Sequence, residues 1–331
     1  MTEHQNSILA LGAQVPPRPA TVFDVASGLD NKKIVDCMLK RGFCILRGLF
    51  TDDLLDKISD RTDIYLSAPS IAGAPGYWKV DHPKKLVNPF VLGGPALDLL
   101  LDERVIDIIE QSMASECILA ETILKVDKAS SYSYFPLHSD FAVGWAKSDK
   151  VPRKLNADDL RQIVGIGGAV YFHDTSDGAF CYCDATHQFM SPHGQQLTLY
   201  SSQEQQAILS RKVRCDGRKG DLVLFDDRGF HGPDQPSRAD RTVILLDYFR
   251  VETIGRLQVS PMPIWSSDIG KLSDKQLRVA GVGADFMVDP SEYAHTRFRR
   301  NSFYKLIAWA VTKSYLFDHF KNLIKALLGR I

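Results

Sequence analysis

The chain has 331 residues, 44% apolar and 24% charged, with 40 Lys and Arg balanced by 40 Asp and Glu. A chain of this size and composition can bury a sizeable core, and its zero net charge excludes nucleic-acid binding driven by overall positive charge. Six cysteines, at 37, 44, 117, 181, 183 and 215, lack any CxxC spacing, which argues against a zinc ribbon or a disulfide framework and for small core thiols in a reducing compartment.

Residues 1–20 read as a flexible arm, because Pro16, Pro17 and Pro19 suit neither a helix nor a central strand. This start has no basic stretch leading into an apolar run, and no uninterrupted apolar segment reaches about 18 residues, so the expected location is the cytoplasm. Ile34, Val35, Met38 and Leu39 recur at helical spacing, Gly42 ends that helix, and Phe43-Cys44-Ile45-Leu46 follows as a short strand. Asp52 or Asp53 caps a second helix to about Leu66. Residues 67–97 are rich in Gly and Pro and read as a long loop, of the kind that often carries function. A helix is expected at about 96–113, then strand near 117–126. From 164 to 250 short apolar runs (Val164 to Phe172, Ala179 to Cys183, Leu222 to Phe225, Thr242 to Phe249) alternate with turn residues. That texture predicts antiparallel strands in a sandwich, double-sheet roll or barrel, hence an α+β chain around a β core.

Residues 297–331 carry eight Lys or Arg against the single acid Asp318. Phe303, Leu306, Ile307, Ala310 and Val311 follow helical spacing, and Phe320, Leu323, Ile324, Leu327 and Leu328 do so again. The pattern predicts a basic amphipathic helical tail. It either packs on the domain or lies as a peripheral contact on an anionic membrane surface.

The segment Phe135-Pro136-Leu137-His138-Ser139-Asp140 carries the strongest chemical signal. Residues i and i+2 of a strand share a face, so His138 and Asp140 present an imidazole and a carboxylate together. A second segment, Gly220-Asp221-Leu222-Val223-Leu224-Phe225, reads as turn then strand and is followed by Gly229-Phe230-His231-Gly232-Pro233. If these strands are neighbours, His231 completes a set of two His and one carboxylate. Such a set leaves one side of an ion open and suits non-haem Fe(II), which needs positions for a chelating cosubstrate and for dioxygen. Arg241 opens the next strand, where a guanidinium can hold the far carboxylate of a keto-diacid. Other histidines read as structural: His187 as a hydrogen-bonded residue or a site residue, His173 as unable to share an ion with the adjacent Asp174, and His193 as a loop residue.

In this order and spacing, His138-Ser139-Asp140, His231 and Arg241 resemble the phytanoyl-CoA dioxygenase family of Fe(II)- and 2-oxoglutarate-dependent oxygenases. Gly42 to Gly48, Asp177-Gly178-Ala179-Phe180, Ala185-Thr186-His187, Gly220-Asp221 and His231-Gly232 are similar to further family motifs, over about residues 30–250. The resemblance implies a double-stranded β-helix (jelly-roll) core with N-terminal helices. The organisation expected is an arm at 1–20, one oxygenase domain at 21–296 and the helical tail at 297–331. It also implies His138, Asp140 and His231 as the metal-binding and catalytic set, with Fe(II), 2-oxoglutarate and dioxygen as reactants. Many members read His-Gly-Ser where this chain has Pro233, so Arg241 needs another partner at the cosubstrate. Lys125, Thr122 and Thr242 are the candidates. Tyr132, Tyr134 and Trp145 flank the first ligands as pocket residues or as packing. Related halogenases carry Ala or Gly at the position of Asp140, so a carboxylate there implies hydroxylation.

Three readings follow. The first is a hydroxylase of a small molecule, a lipid or a lipid-linked sugar. The second is a non-catalytic metal- or ligand-binding jelly roll that has lost turnover. The third is a metal-dependent isomerase on a cupin-like barrel.

Overall fold

The computed structural model describes residues 17–67, 78–79, 84–87, 89–131, 133, 135–145, 154–189, 196–256, 262–281 and 287–288. The tail at 297–331, most of the N-terminal arm, Tyr132, Tyr134 and His193 lie outside the described residues.

The helix Asn31–Arg41 begins where the Asp30 carboxylate accepts from the Lys33 amide at 3.2 Å. It ends where Gly42, at φ 84°, turns its N–H back to the Met38 carbonyl. It buries Ile34 and Met38 and delivers the chain into strand β2 (Phe43–Arg47). The helix Asp52–Ser67 opens on Asp52 and Asp53, whose charges suit the positive end of the helix. The helix expected at about 96–113 is two helices, Gly94–Leu100 and Glu103–Met113. Asp102 interrupts them by accepting from the Arg104 amide at 2.9 Å, which makes it the cap of a new helix rather than an interior residue.

The structure is a sheet-rich α+β fold. Its large sheet joins β1 (Val22–Asp24), β2, β3 (Trp78–Lys79), β4 (Lys84–Val87), β5 (Cys117–Asp127), β6 (Gly165–Tyr171), β9 (Leu222–Asp226) and β11 (Arg241–Arg250), in the order β1-β2-β9-β6-β11-β5-β4-β3. The small sheet joins β7 (Thr175–Cys183), β8 (Lys212–Gly217) and β10 (His231–Pro233), in the order β10-β7-β8. Strands β3 and β4 fall inside the segment expected as loop; Leu86 of β4 is fully buried opposite Leu124 of β5. Strand β8 and the helix Ser202–Leu209 were not anticipated either.

Alternation along the strands sorts the core into two layers. Phe43, Ile45, Val223, Phe225 and Val243 point toward the small sheet, where they meet Phe180, Tyr182 and Val213. Their neighbours Cys44, Leu46, Leu222, Leu224, Ile244 and Leu246 point the other way and pack with Ile34, Met38, Ile106 and Ile109 of the helices. A sheet covered on both faces needs apolar residues at consecutive positions, which is why these strands read as unbroken apolar runs.

The turn before β9 is locked by Asp221. Its fully buried carboxylate accepts from the Gly48 amide at 2.8 Å and the Arg218 amide at 2.9 Å. Gly220, at φ +87°, lies so close to Phe50 that an added Cβ would sit 2.1 Å from the Phe50 carbonyl oxygen. The Gly48 and Gly220-Asp221 motifs are therefore two halves of one structural lock. Among the described residues, no helix is long and apolar enough to cross a membrane.

Candidate metal centre

Residues far apart in sequence meet through one pair of hydrogen bonds. The His138 amide donates to the His231 carbonyl at 3.0 Å, and the His231 amide donates to the His138 carbonyl at 2.8 Å. Residues exchanging both bonds stand directly opposite, so their side chains leave the same face side by side. The ring centroids are 4.6 Å apart. Asp140, two residues on, returns to that face, and its amide is fixed by the Asp227 carbonyl at 2.8 Å. Ser139 points the opposite way, and its hydroxyl donates to the carbonyls of Phe141 and Arg228.

The three side chains converge. His138 Nε2 lies 3.5 Å from one Asp140 carboxylate oxygen and His231 Nε2 lies 3.2 Å from the other. One ligand atom from each residue falls within 4.8 Å of the other two. Neighbouring ligands around an ion with arms of about 2.1 Å stand roughly 3 Å apart, so the spacing fits a metal held on one side.

The ring orientations support the same fit. His138 Nδ1 faces the Pro136 carbonyl at 3.1 Å, and His231 Nδ1 faces the Gly229 carbonyl at 2.9 Å. A carbonyl oxygen only accepts, so each Nδ1 carries the proton and each Nε2 presents a lone pair to the shared point. Burial, and then the neighbouring His231, hold His138 down to about 4, with Asp140 pulling the other way. His138 is thus neutral, the ligating form, through the physiological range. His231 is buried, with its ring packed against Phe180 and Phe225.

Arg241 begins β11 directly opposite Asp127, the last residue of β5. Its Nη2 donates to Asp127 at 2.6 Å, while Nε and Nη1 are buried without a partner. Lys125 stands on the same face, its Nζ 3.2 Å from Asp127 and 4.9 Å from the centre of the Phe135 ring. Phe135 in turn packs edge-on against His138. One aromatic ring therefore links the basic group to the candidate ligands. Burial lowers the Lys125 pKa, and Asp127 opposes that shift.

Thr122 and Thr242 are not on this face. Their strand neighbours Leu124 and Ile244 belong to the helix-side core, whereas Val243, next to Thr242, faces the small sheet. By alternation, both threonines turn away from Arg241 and Lys125. The Thr122 hydroxyl donates to the Leu245 carbonyl, and the Thr242 amide donates to His173 Nε2. Trp145 packs with Phe141 and Phe249 at centroid distances of 4.8 and 6.1 Å. Pro233 sits in β10 opposite Phe180.

His187 lies apart from the centre, buried with Nε2 at 3.1 Å from the Leu39 carbonyl. Cys181 and Cys183 are buried free thiols whose pKa values burial pushes up. Two acids were missed in the sequence. Asp127 neutralises Lys125 and Arg241, a role foreshadowed only by its i+2 spacing from Lys125. Asp227 is almost fully buried, and burial, with Asp247 and Asp140 next in effect, raises its pKa well above the carboxylate range.

No family model matches the chain, and no curated protein matches it. Solved structures do share its fold. EctD from S. alaskensis, in its apo form, aligns at a TM-score of 0.52 and 17% identity, over 72% of this chain and 84% of that one. The epimerase SnoN in complex with Fe3+, alpha ketoglutarate and nogalamycin RO aligns at 0.50 and 13% identity, over 67% of this chain and 84% of that one. At these identities the likeness is one of fold.

Proposed function

We propose that this protein is an Fe(II)- and 2-oxoglutarate-dependent oxygenase similar to the phytanoyl-CoA dioxygenase family, hydroxylating a C–H bond of a small molecule, a lipid or a lipid-linked sugar. Its two sheets are read as the halves of a jelly roll within one domain at 21–296. The observation that carries the proposal is the convergence of two imidazole Nε2 atoms and the Asp140 carboxylate on one point, with each Nδ1 proton committed to a backbone carbonyl. SnoN, of similar fold, is described with iron and alpha ketoglutarate bound. Bound iron would let dioxygen act as the four-electron oxidant, taking two electrons from 2-oxoglutarate, which leaves as succinate and carbon dioxide, and two from the substrate, which gains the hydroxyl.

The protein's own residues bind, orient and exclude water. His138, Asp140 and His231 hold the ion in fixed geometry. Arg241 offers two unpartnered N–H positions to the far carboxylate of 2-oxoglutarate, a cation in a buried site where charge is felt strongly. Lys125 adds a second positive charge, and Asp127 keeps both cations in place. Phe180 and Phe225 close off His231 from water. The basic tail from Arg297 supports a substrate at a membrane surface.

One observation favours the non-catalytic reading. Arg241 is already paired with Asp127 at 2.6 Å, and position 233 is a proline, which has no hydroxyl to offer a cosubstrate. Succinate formation separates the two. An oxygenase releases succinate only when Fe(II), 2-oxoglutarate and dioxygen are all present. Absence of iron-dependent 2-oxoglutarate binding, together with absence of succinate, would establish the binding module instead. Turnover of a substrate without dioxygen would point to an isomerase.

A further inference from the structure

The first rungs of β11 are not made by backbone alone. Toward β6 the register runs from Phe249 opposite Gly165 to Val243 opposite Tyr171. One step further, the Phe172 amide donates to the Thr242 carbonyl at 3.2 Å. The reciprocal donor, the Thr242 amide, does not return to Phe172 but donates to Nε2 of His173 at 3.0 Å. The chain bends away from the sheet at Phe172 and His173, and an imidazole takes the place of a backbone carbonyl at the end of the ladder.

The imidazole is set up for that task. Nδ1 faces the Asp174 carbonyl at 3.1 Å. A carbonyl oxygen only accepts, so Nδ1 carries the proton and Nε2 holds the lone pair that the Thr242 amide needs. Both sides of the ring therefore specify the same tautomer. The turn that carries the ring is fixed as well. The Thr175 hydroxyl donates to the His173 carbonyl at 2.9 Å, and the Asp174 carboxylate accepts from the Lys219 amide at 3.0 Å.

The residue this rung holds in place is Arg241. Backbone groups of successive strand residues point to opposite sides, so Thr242 faces β6 while Arg241 faces Asp127 of β5. The preceding residues, 238–240, are exposed. Toward β6 the start of β11 is thus anchored at Thr242, one residue from a guanidinium whose Nε and Nη1 are unpartnered. Hydrogen bonds weaken steeply with distance and angle, so a small shift of the Arg241 backbone would misaim both donors.

We propose that His173 is a positioning residue for the cosubstrate clamp, its imidazole fixing the start of β11 so that Arg241 meets the far carboxylate of 2-oxoglutarate. The cosubstrate role rests on the oxygenase reading; the rung between His173 and Thr242 does not.

The test uses the full chain loaded with redox-inert Zn(II) and titrated calorimetrically with 2-oxoglutarate, as wild type and as His173→Gln, His173→Asn and His173→Ala. Glutamine brings an oxygen acceptor to the position of Nε2, asparagine reaches only as far as Nδ1, and alanine supplies no acceptor. His173→Ala and His173→Asn should bind 2-oxoglutarate about tenfold more weakly, the loss that one misplaced hydrogen bond produces, with His173→Gln within about twofold of wild type. Zn(II) affinity should be unchanged in all three, since the candidate ligands are on other strands. On wild type, NMR should find the Thr242 amide protected from hydrogen exchange and the proton of the neutral His173 ring on Nδ1. An unprotected Thr242 amide, or a neutral ring protonated on Nε2, would overturn the proposal with no variant required. Wild-type affinity in both His173→Ala and His173→Asn would also overturn it, as would equal weakening in His173→Gln and His173→Asn, which marks packing alone. Should 2-oxoglutarate fail to bind Zn(II)-loaded wild type while the Thr242 amide is protected, the oxygenase reading falls and the cosubstrate role with it, and the rung stands as structure only.

Discussion

Replacing Arg241 by alanine tests the cosubstrate assignment at its centre. The guanidinium is 4% exposed, gives Nη2 to Asp127, and keeps Nε and Nη1 without partners. A hydrogen bond involving a charged group contributes about 1.5–3 kcal/mol, so losing two toward 2-oxoglutarate removes roughly 3–6 kcal/mol. Even the lower figure weakens binding by at least about 100-fold. The fold should tolerate the change better than most losses of a buried ion pair. Asp127 retains Lys125 at 3.2 Å, so the full cost of stranding a buried charge, about 3–5 kcal/mol, is not incurred. Arg241→Lys should fall between wild type and alanine, because it keeps the charge but loses the planar fork. The assay is calorimetric titration of 2-oxoglutarate into metal-loaded protein, with metal affinity measured on the same sample. Unchanged 2-oxoglutarate affinity in Arg241→Ala would refute the reasoning, as would loss of metal binding alongside it.

Three further outcomes are expected. Gly167→Ala should lower stability by about 1–3 kcal/mol, since the new methyl would sit 2.2 Å from the Phe225 ring and 2.6 Å from Asp227; an unchanged denaturation midpoint would contradict that packing. Asp221→Ala removes the acceptor of two backbone amides and should cost about 3 kcal/mol in chemical denaturation, with a loss below about 1 kcal/mol counting against the lock. Burial lowers the His187 pKa, so between its folded and unfolded values the unfolded chain binds the extra proton. That contribution is complete at neutral pH and is lost as pH falls through the ordinary histidine value, at a slope of up to about 1.4 kcal/mol per pH unit. In His187→Gln this component of the acid destabilisation should disappear, and an identical pH profile would exclude His187 as its source.

The parts of the site that were legible in the sequence are those set by short-range geometry. The i, i+2 rule puts His138 and Asp140 on one face wherever that strand lies, and Gly42 ends its helix without reference to the rest of the fold. The meeting of His138 with His231 depends on a pairing between segments 93 positions apart, which the order of motifs intimates but local pattern cannot fix. The faces of β5 and β11 are undetermined by local pattern for a related reason. Thr122 and Thr242 were named from their strands alone, and which face of those strands looks inward is decided by Leu124 and Ile244 packing on helices. The break at Asp102 was hidden because Leu99, Leu100 and Leu101 are all buried and carry the apolar pattern across it. Strand β4 was hidden by the Gly- and Pro-rich sequence around it. Asp127 and Asp227 carry no motif; only the three-dimensional neighbourhood shows one balancing two cations and the other filling the space over two glycines.

Titration of Fe(II) under argon into wild type and into the His138→Ala and His231→Ala variants tests the central claim most directly. Wild type should take up one equivalent, and each variant should lose that uptake while still unfolding cooperatively. Full occupancy in both variants would contradict a metal centre built on these histidines.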